Sequence, residues 1–245
     1  MVRDFRTIRS QTGRQDDLEA FLLYGTYPAV LNAPTNAAKR EILEELVGSY
    51  LLKDVLELDR IRSSKVLLDL LRLLAYQTGS EVSMNELAIK LGIDGKTTAR
   101  YVDLLEKGFV LFSLRGYSNN LRKELTRKAK YYFFDTGIRN ALIANFNTIE
   151  RRDDLGALWE NFLIAERLKT RGYSGILANS YFWRTWDQKK IDLIEEREGK
   201  LHTFEFKWKS GDHRVPKDFI EAYPGSSFSV VHRENWFEFL VPKSD

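Results

Sequence analysis

Acidic and basic side chains recur at short intervals between positions 189 and 209, in the stretch KKIDLIEEREGKLHTFEFKWK. Apolar and polar residues alternate through most of this stretch, which predicts two short strands, Lys190–Glu195 and Leu201–Lys209. The polar residues between them, Glu196–Lys200, indicate a reverse turn. We therefore expect the two strands to pair as a hairpin.

Three charged residues of this hairpin could share one face. Side chains two residues apart on a strand point the same way, so Glu205 and Lys207 lie together, with Asp192 in cross-strand reach. Burying such a group is costly unless a ligand uses it. The arrangement predicts a Mg²⁺ or Mn²⁺ ion between the carboxylates and a lysine that faces an anionic substrate. The structural alternative is a solvated strand face, with Asp192 on the side of the sheet opposite Glu205.

A helix upstream of the hairpin could add a third carboxylate. Asp153 or Asp154 caps a predicted helix that runs to Arg171, with apolar residues at helical spacing. Glu160 lies at the flank of the apolar stripe. Glu166 falls almost in its middle, which is unusual for a carboxylate. Both are therefore candidate site residues.

The other predicted elements follow from periodicity and turn residues. The first 80 residues are predicted to be helical, with a helix that Pro28 limits and a long helix at Thr35–Leu58. Beyond the candidate helix we expect strands at 176–178, 181–186, 228–232 and 236–241, and a helix from Pro216 to Tyr223.

Residues 81–148 have the pattern of a winged helix-turn-helix. Ser83 and Glu86 form a capping box, Asp94 caps a second helix that ends at Lys107, and strands follow at 109–114 and 130–136. Such a module binds nucleic acid, and we expect DNA. The expected contacts are the outward side chains of the second helix and of the wing: Lys96, Thr97, Arg100, Arg115, Arg122, Lys123, Arg127 and Lys128. The alternative is a protein-docking module.

The distribution of charge favours a polyanion partner for this segment. The chain has a formal net charge of +3, and residues 81–131 hold 10 basic against 6 acidic side chains. The positive excess of the whole chain therefore lies in this segment. A local basic patch is the electrostatic feature expected of a nucleic-acid-binding surface.

One short sequence resembles a nucleotide site but fails on its context. Gly95-Lys96-Thr97-Thr98 looks like the end of a phosphate-binding loop, yet Lys90 stands where that loop needs its first glycine. The loop must also follow a strand, whereas this stretch follows a helix. We expect no nucleotide site in the chain.

Composition limits the compartment and the partners. The chain has no cysteine, so it has neither a disulfide nor a thiolate metal site. Its start lacks the apolar segment of a signal peptide, and no apolar run is long enough to span a bilayer. We expect a cytoplasmic protein without a membrane partner.

The predicted elements follow the order helix, three strands, helix, strand. This order resembles the PD-(D/E)XK nuclease-like fold of restriction enzymes and resolvases, and so do the positions of Glu160, Asp192, Glu205 and Lys207. Ordered blocks extend the resemblance from residue 18 to about 210: YGTYPAVL, SYLLKDVLEL, LGIDGKTTARYVDLLEKGFVLFSL, KYYFFDTGIRNAL, GALWENFLIAERL, WR, KIDLI and FEFK. Together they look like the C-terminal half of a prokaryotic AAA-type ATPase family.

This resemblance implies an α+β or α/β fold with three parts. They are an N-terminal helical region at 1–80, a winged helix-turn-helix domain at 81–148, and a restriction-endonuclease-like α/β domain at 149–245. The nucleotide-binding domain of the family is missing, so we expect either a C-terminal part of such a protein or a naturally reduced member. The ATPase domain, or another protein, is then an expected partner.

The resemblance also implies a site. The catalytic set carried over onto this chain is Glu160, Asp192, Glu205 and Lys207. Its three carboxylates would hold Mg²⁺ or Mn²⁺, and Arg184 and Lys209 would hold flanking phosphates. Lys190 departs from the family pattern, which has an acidic residue before the Asp.

Two other functions stay open beside a metal-dependent nuclease. The first is a non-catalytic DNA- or protein-binding module that uses the nuclease-like fold as a scaffold. The second is a regulatory or antitoxin-like partner of the ATPase half. The complete set of three carboxylates and a lysine favours the enzyme, since a scaffold gains nothing from it.

Overall fold

The computed structural model describes residues 15–51, 64–117, 129–185, 187, 189–211 and 214–241. This part of the chain has a mixed α+β fold, with ten α-helices and one seven-stranded, mostly antiparallel sheet.

The N-terminal helices begin and end close to the signals in the sequence. They are α1 (Gln15–Tyr24), α2 (Pro28–Leu31), α3 (Asn36–Glu45) and α4 (Ser64–Tyr76). Thr35 caps α3 by accepting a hydrogen bond from the backbone of Ala38, at 3.1 Å. Pro28 starts α2, because proline fits the first turn of a helix. The long helix expected to reach Leu58 continues only as a π-helix at Leu46–Leu51, and 52–63 lie outside the described residues.

Two capped helices and three strands form the next part of the chain. They are β1 (Glu81–Val82), α5 (Met84–Leu91), α6 (Gly95–Lys107), β2 (Leu111–Gly116) and β3 (Ala129–Phe133). Ser83 and Asp94 each accept a hydrogen bond from the backbone three residues onward, which confirms both predicted caps. Gly92 ends α5 with a φ of 66°, a left-handed conformation that glycine adopts without strain.

The C-terminal part contains the helix and the hairpin predicted to carry the site. Its elements are α7 (Thr136–Leu142), a short 3₁₀ helix (Ile149–Arg151), α8 (Leu155–Ser174), β4 (Asn179–Arg184), β5 (Lys190–Arg197), β6 (Lys200–Phe206), α9 (Lys217–Ala222), β7 (Ser227–Val231) and α10 (Trp236–Leu240). The antiparallel pairing of β5 with β6 confirms the predicted hairpin.

Two predicted strands are wrong. Trp236–Leu240 form helix α10 instead of the strand expected at 236–241, because Phe239 and Leu240 are buried on one side of a helical turn, and this packing overrides the strand preference of aromatic residues. Residues 176–178 form no strand. They follow Gly175, whose left-handed φ of 65° ends α8 and turns the chain towards β4.

One sheet runs through the whole described fold, in the order β1-β3-β2-β4-β5-β6-β7. Its pairs are antiparallel except β2–β4 and β6–β7. The β2–β4 pair aligns Arg115 with Tyr181, so the sheet continues across the predicted boundary at 148/149. One core cluster likewise extends from Leu67 on α4 to Phe206 on β6. The division into three domains stays a prediction, while the sheet and the core are shared.

Helix α7 approaches the end of α1 closely at Gly137, so a larger side chain there should lower the stability of the fold. A Cβ atom on Gly137 would lie 2.1 Å from the backbone oxygen of Tyr24, so Gly137→Ala would force the two helices apart. We expect a loss of about 1–3 kcal/mol in the free energy of unfolding, the usual cost of overpacking. Gly156→Ala is the matched control. It lies in α8, where an added Cβ atom would meet nothing within 4 Å apart from the backbone of its own helix, and alanine there should leave stability equal or higher. Equal denaturation midpoints for both variants would contradict the close approach.

Candidate functional site

Asp192 occupies a buried position in the middle of the sheet. Its side chain is 1% exposed, and its two carboxylate oxygens have different partners. Oδ2 accepts a hydrogen bond from the backbone of Phe206 at 2.9 Å, and Oδ1 accepts one from Lys190 Nζ at 2.8 Å. The side chain therefore bridges from β5 to the end of β6 and fixes the strands beside each other.

Glu205 lies on the neighbouring strand, close to Asp192. The β5–β6 register pairs Leu193 with Phe204, and one further step places Asp192 opposite Glu205 on the same face of the sheet. Burial raises the pKa of Glu205, and the nearby charge of Asp192 raises it further. Lys207 Nζ lies 2.7 Å from Glu205 Oε1 and opposes that rise.

Glu160 brings a third carboxylate to this group from helix α8. Its Oε1 accepts hydrogen bonds from the Tyr132 hydroxyl at 2.6 Å and from Lys130 Nζ at 3.1 Å, both on β3. Burial raises the pKa of Glu160, Lys130 opposes the rise, and Asp192 adds to it. The four residues predicted as a site thus lie near one another, although their catalytic roles stay predictions.

Each carboxylate of the group has its own lysine. We call these six residues the carboxylate–lysine cluster, and its pairs are Glu160 with Lys130, Asp192 with Lys190, and Glu205 with Lys207. The formal charges of three carboxylates and three ammonium groups cancel. Lys130 and Tyr132 were not among the predicted site residues. Their spacing of two residues on a strand was the available signal, because it places both on one face.

Lys190 is coupled to all three carboxylates of the cluster. Burial opposes its charged form, but Asp192, Glu160 and Glu205 together raise its pKa. In turn, the Lys190 charge opposes the rise in the pKa of Glu160 and of Glu205. Its ammonium group therefore lies in the field of the whole cluster, although its direct hydrogen bond is to Asp192 alone.

The fit of a divalent cation to these residues depends on two observations. The donor set consists of carboxylate oxygens, which Mg²⁺ and Mn²⁺ accept, and Glu205 Oε2 is buried without a hydrogen-bond partner among the described residues. That orphaned oxygen is the kind of donor that a cation would satisfy. However, the described residues contain no group of three or more carboxylate or histidine side chains close enough together to hold a metal ion.

The residues predicted to contact nucleic acid are described only in part. Lys96 and Arg100 are exposed on α6, and Arg115 is exposed on β2. Thr97 donates from its hydroxyl to Asp94 at 2.6 Å, so it serves the helix cap. The four basic wing residues of the prediction lie outside the described residues: Arg122, Lys123, Arg127 and Lys128.

Glu166, the second candidate on α8, belongs to a different group. It is buried and accepts hydrogen bonds from Thr26 at 2.9 Å and from Lys169. Burial raises its pKa, with Lys169 opposing and the buried Asp135 adding to the rise. Glu166 lies six residues after Glu160, about 120° away around the helix axis, so it points away from the carboxylate–lysine cluster.

The two residues expected to hold flanking phosphates are both exposed. Arg184, at the end of β4, lies 3.7 Å from Glu81 Oε1 across the sheet. Lys209 follows β6.

Among the described helices, none is long and apolar enough to cross a membrane.

Comparison with known sequences identifies two regions of the chain. Residues 15–149 match the domain of unknown function DUF8612, and residues 155–239 match the domain of unknown function DUF4143. The first match covers more than half of the chain, so the chain belongs to the DUF8612 family. Helix α8 and the hairpin, which carry the candidate site, fall in the second region, and Lys130 and Tyr132 fall in the first.

Three similar proteins are longer than this chain. Uncharacterized proteins of Mycobacterium bovis and Mycobacterium tuberculosis are each 28% identical over 189 residues, which cover 76% of this chain and 42% of the relative. An uncharacterized protein of Haemophilus influenzae is 25% identical over 202 residues, 80% of this chain and 47% of the relative. The chain therefore spans less than half the length of these relatives. No solved structure matches it.

The buried position of Glu205 predicts a pH-dependent effect of Glu205→Gln. Because the folded-state pKa of Glu205 is raised, the folded chain binds a proton that the unfolded chain has already lost, and stability falls as pH rises through that window. In chelator-containing buffer, Glu205→Gln should therefore be more stable than the parent at neutral pH. The difference should shrink as the pH is lowered towards the ordinary range of a glutamate.

Urea denaturation at several pH values measures this difference. The control is Glu44→Gln on α3, an exposed position where the change should stay within about 0.5 kcal/mol at every pH. A Glu205→Gln variant that loses stability at neutral pH would show that the Lys207 pair outweighs the burial of the carboxylate.

Proposed function

We propose that this chain binds nucleic acid and that its C-terminal half carries a nuclease-like site for phosphodiester hydrolysis. The observation that carries the proposal is the convergence of Glu160, Asp192, Glu205 and Lys207 from one helix and two strands. These side chains are buried or half-buried, and the energetic cost of gathering them is hard to explain by folding alone.

The arrangement of elements supports the finer fold assignment that this function needs. The order α8, β4, β5, β6, α9, β7, with three antiparallel strands and a parallel fourth, agrees with the PD-(D/E)XK fold that the sequence resembles. Helices α5 and α6, followed by the β2–β3 pair, agree with a winged helix-turn-helix. We propose both assignments.

In this proposal Asp192 and Glu205 would be the principal ligands of Mg²⁺ or Mn²⁺, and Glu160 would reach the ion directly or through a water. When bound, such an ion polarises a phosphoryl oxygen and lowers the pKa of a coordinated water. The chain's own contribution is positioning and charge. Lys207, whose side chain is 34% exposed, can turn its ammonium group towards a phosphate and stabilise the negative charge that develops in the transition state.

The basic surface of α6 would hold the nucleic acid. Lys96 and Arg100 lie one helical turn apart on its exposed side, with Arg115 at the end of β2. Contacts of this type go to phosphates and give affinity without sequence preference. DNA is the polymer we propose, because the winged helix-turn-helix pattern is typical of DNA recognition.

A non-catalytic scaffold is the second candidate function, and one observation favours it. The pairing of each carboxylate with a lysine leaves the cluster neutral and satisfies most of its oxygens without a metal. A nuclease-like fold in this state could serve as a DNA- or protein-binding regulatory module. The two candidates differ in whether a divalent ion ever enters the cluster.

We also propose a nucleotide-binding ATPase domain, or another protein, as a partner. The proposal rests on the resemblance to the AAA-type family and on the greater length of the relatives, of which the matched region is 42–47%. The Gly95-Lys96-Thr97 stretch opens α6 after helix α5, whereas a phosphate-binding loop follows a strand.

Lys207→Gln separates the enzyme from the scaffold. Loss of one group that stabilises transition-state charge typically slows the reaction by about 10²–10³-fold, so the cleavage of a labelled oligonucleotide with Mg²⁺ or Mn²⁺ should fall by that factor. Lys200→Gln, which changes an exposed lysine at the start of β6, is the matched control and should cut at the parental rate. Thermal unfolding checks that both variants are folded. A parent protein that cuts neither DNA nor RNA with either metal would overturn the nuclease proposal.

The double variant Lys96→Gln, Arg100→Gln tests the nucleic-acid surface. Removing two phosphate contacts should weaken duplex binding and reduce the slope of log K against log salt by about 2. Fluorescence anisotropy at several salt concentrations measures both quantities. The control is Lys65→Gln on α4, an exposed lysine outside the basic segment. An unchanged slope in the double variant would exclude α6 as the contact surface.

A further inference from the structure

Lys190 contacts the most buried carboxylate of the carboxylate–lysine cluster. It opens β5, two residues before Asp192, so the two side chains leave the strand on the same side. Its Nζ lies 2.8 Å from Asp192 Oδ1, the oxygen that the backbone of Phe206 leaves free. Since Asp192 is 1% exposed, Lys190 occupies the accessible donor position of a buried carboxylate.

The exposure of Lys190 differs from that of Lys130, the most buried lysine of the cluster. The Lys190 side chain is 43% exposed, whereas the Lys130 side chain, paired with Glu160, is 6% exposed. Lys130 is also enclosed by the ring of Phe182, 5.0 Å away. A lysine has a flexible four-carbon stem and a single point charge, so Lys190 can leave Asp192 by side-chain rotation alone.

Movement of Lys190 away from Asp192 would change the net charge of the cluster. With three carboxylates and three ammonium groups the cluster is neutral, and without Lys190 it carries a charge of −1 in a buried region. Asp192 Oδ1 would then join Glu205 Oε2, which has no hydrogen-bond partner among the described residues. Two carboxylate oxygens on adjacent strands would be open to a hard cation.

We propose that the Lys190 ammonium group is a built-in cation that competes with a divalent metal ion for the cluster. The inference rests on the proposed function, since it concerns the regulation of the same site. In the metal-free protein Lys190 neutralises the cluster and closes it. A Mg²⁺ or Mn²⁺ ion enters only as Lys190 moves outward, where its charge can meet a phosphate group of the substrate. Metal and substrate would therefore bind cooperatively, because each favours the open position of Lys190.

Binding of Mn²⁺ to the whole chain tests this competition without any measurement of cleavage. Lys190→Gln removes the ammonium charge but keeps a side chain that can donate a hydrogen bond to Asp192. We expect this variant to bind Mn²⁺ about tenfold or more tightly than the parent, because a like charge next to the ion is gone. Electron paramagnetic resonance of free Mn²⁺ and isothermal titration calorimetry both measure the affinity.

Two control variants separate the position of the charge from its mere loss. Lys189→Gln removes the same charge from the adjacent residue, whose ammonium pairs with Asp187 and Asp218 outside the cluster, and should bind Mn²⁺ as the parent does. Lys190→Arg keeps the charge in place and should also stay at the parental affinity. Equal affinity of the parent and Lys190→Gln, or an equal gain in Lys189→Gln, would overturn the proposal.

Thermal unfolding gives a second readout that does not depend on a titration. Without metal, Lys190→Gln leaves the buried Asp192 without a full countercharge, so its melting temperature in chelator should fall below that of the parent. Added Mn²⁺ should raise the melting temperature of Lys190→Gln more than that of the parent, since the ion stabilises only the folded chain. A smaller or absent metal-induced rise in Lys190→Gln would contradict the competition.

Failure of the Lys190 competition and failure of the nuclease proposal give different experimental outcomes. If Lys190→Gln gains Mn²⁺ affinity but no variant cuts nucleic acid, the competition stands and the nuclease fails. If the parent cuts nucleic acid with Mg²⁺ and Lys190→Gln gains no affinity, the nuclease stands and the competition fails.

Discussion

Carboxylates buried near α8 and in the sheet need cations, and two of those cations come from distant parts of the chain. Lys130 on β3 meets Glu160, and Arg139 on α7 meets Asp154 just before α8. Both cations precede residue 149, and both carboxylates follow it. Removing one partner of a buried pair leaves an uncompensated charge, typically at a cost of about 3–5 kcal/mol. This requirement ties the two matched regions together more firmly than the short linker between them.

Arginines and lysines neutralise the buried carboxylates in different ways. On one side of α8, the Arg167 guanidinium donates a hydrogen bond to each oxygen of Glu195, both at 2.9 Å. It also donates to the backbone oxygen of Phe239, which holds α10 in place. A guanidinium fork is planar and gives fixed geometry. In the candidate site the cations are lysines, which make single contacts on flexible stems. The rigid pairs fix the scaffold, and the site has cations that can exchange.

The sequence predicted local features well where a single residue determines them. Ser83 and Asp94 were identified as caps because a side-chain oxygen followed by free backbone N–H groups is a local signal. The β5–β6 hairpin followed from the alternation of polar and apolar residues around a polar turn. Asp192, Glu205 and Lys207 on this hairpin could be named for the same reason, whereas Glu160 on α8 was named from helical periodicity and the family resemblance.

Features that depend on distant contacts were not predictable. The alignment of Arg115 with Tyr181 joins strands 66 residues apart, and nothing local marks either residue as a partner. The roles of Lys130 and Tyr132 likewise appear only when β3 lies against α8. Helix α10 was mistaken for a strand because tertiary burial, not intrinsic preference, decides a five-residue aromatic segment.

The single sheet bears on how the chain can be divided. A cut between the two matched regions, at residues 150–154, looks like a natural place to separate them. Such a cut would strip β4 of its neighbour β2 and expose a row of unpaired backbone groups in the middle of the sheet. An open edge of this kind recruits strands from other molecules, so the separated C-terminal piece would tend to aggregate. We therefore expect the boundary between the two matched regions to be a boundary of sequence and not of independent folding.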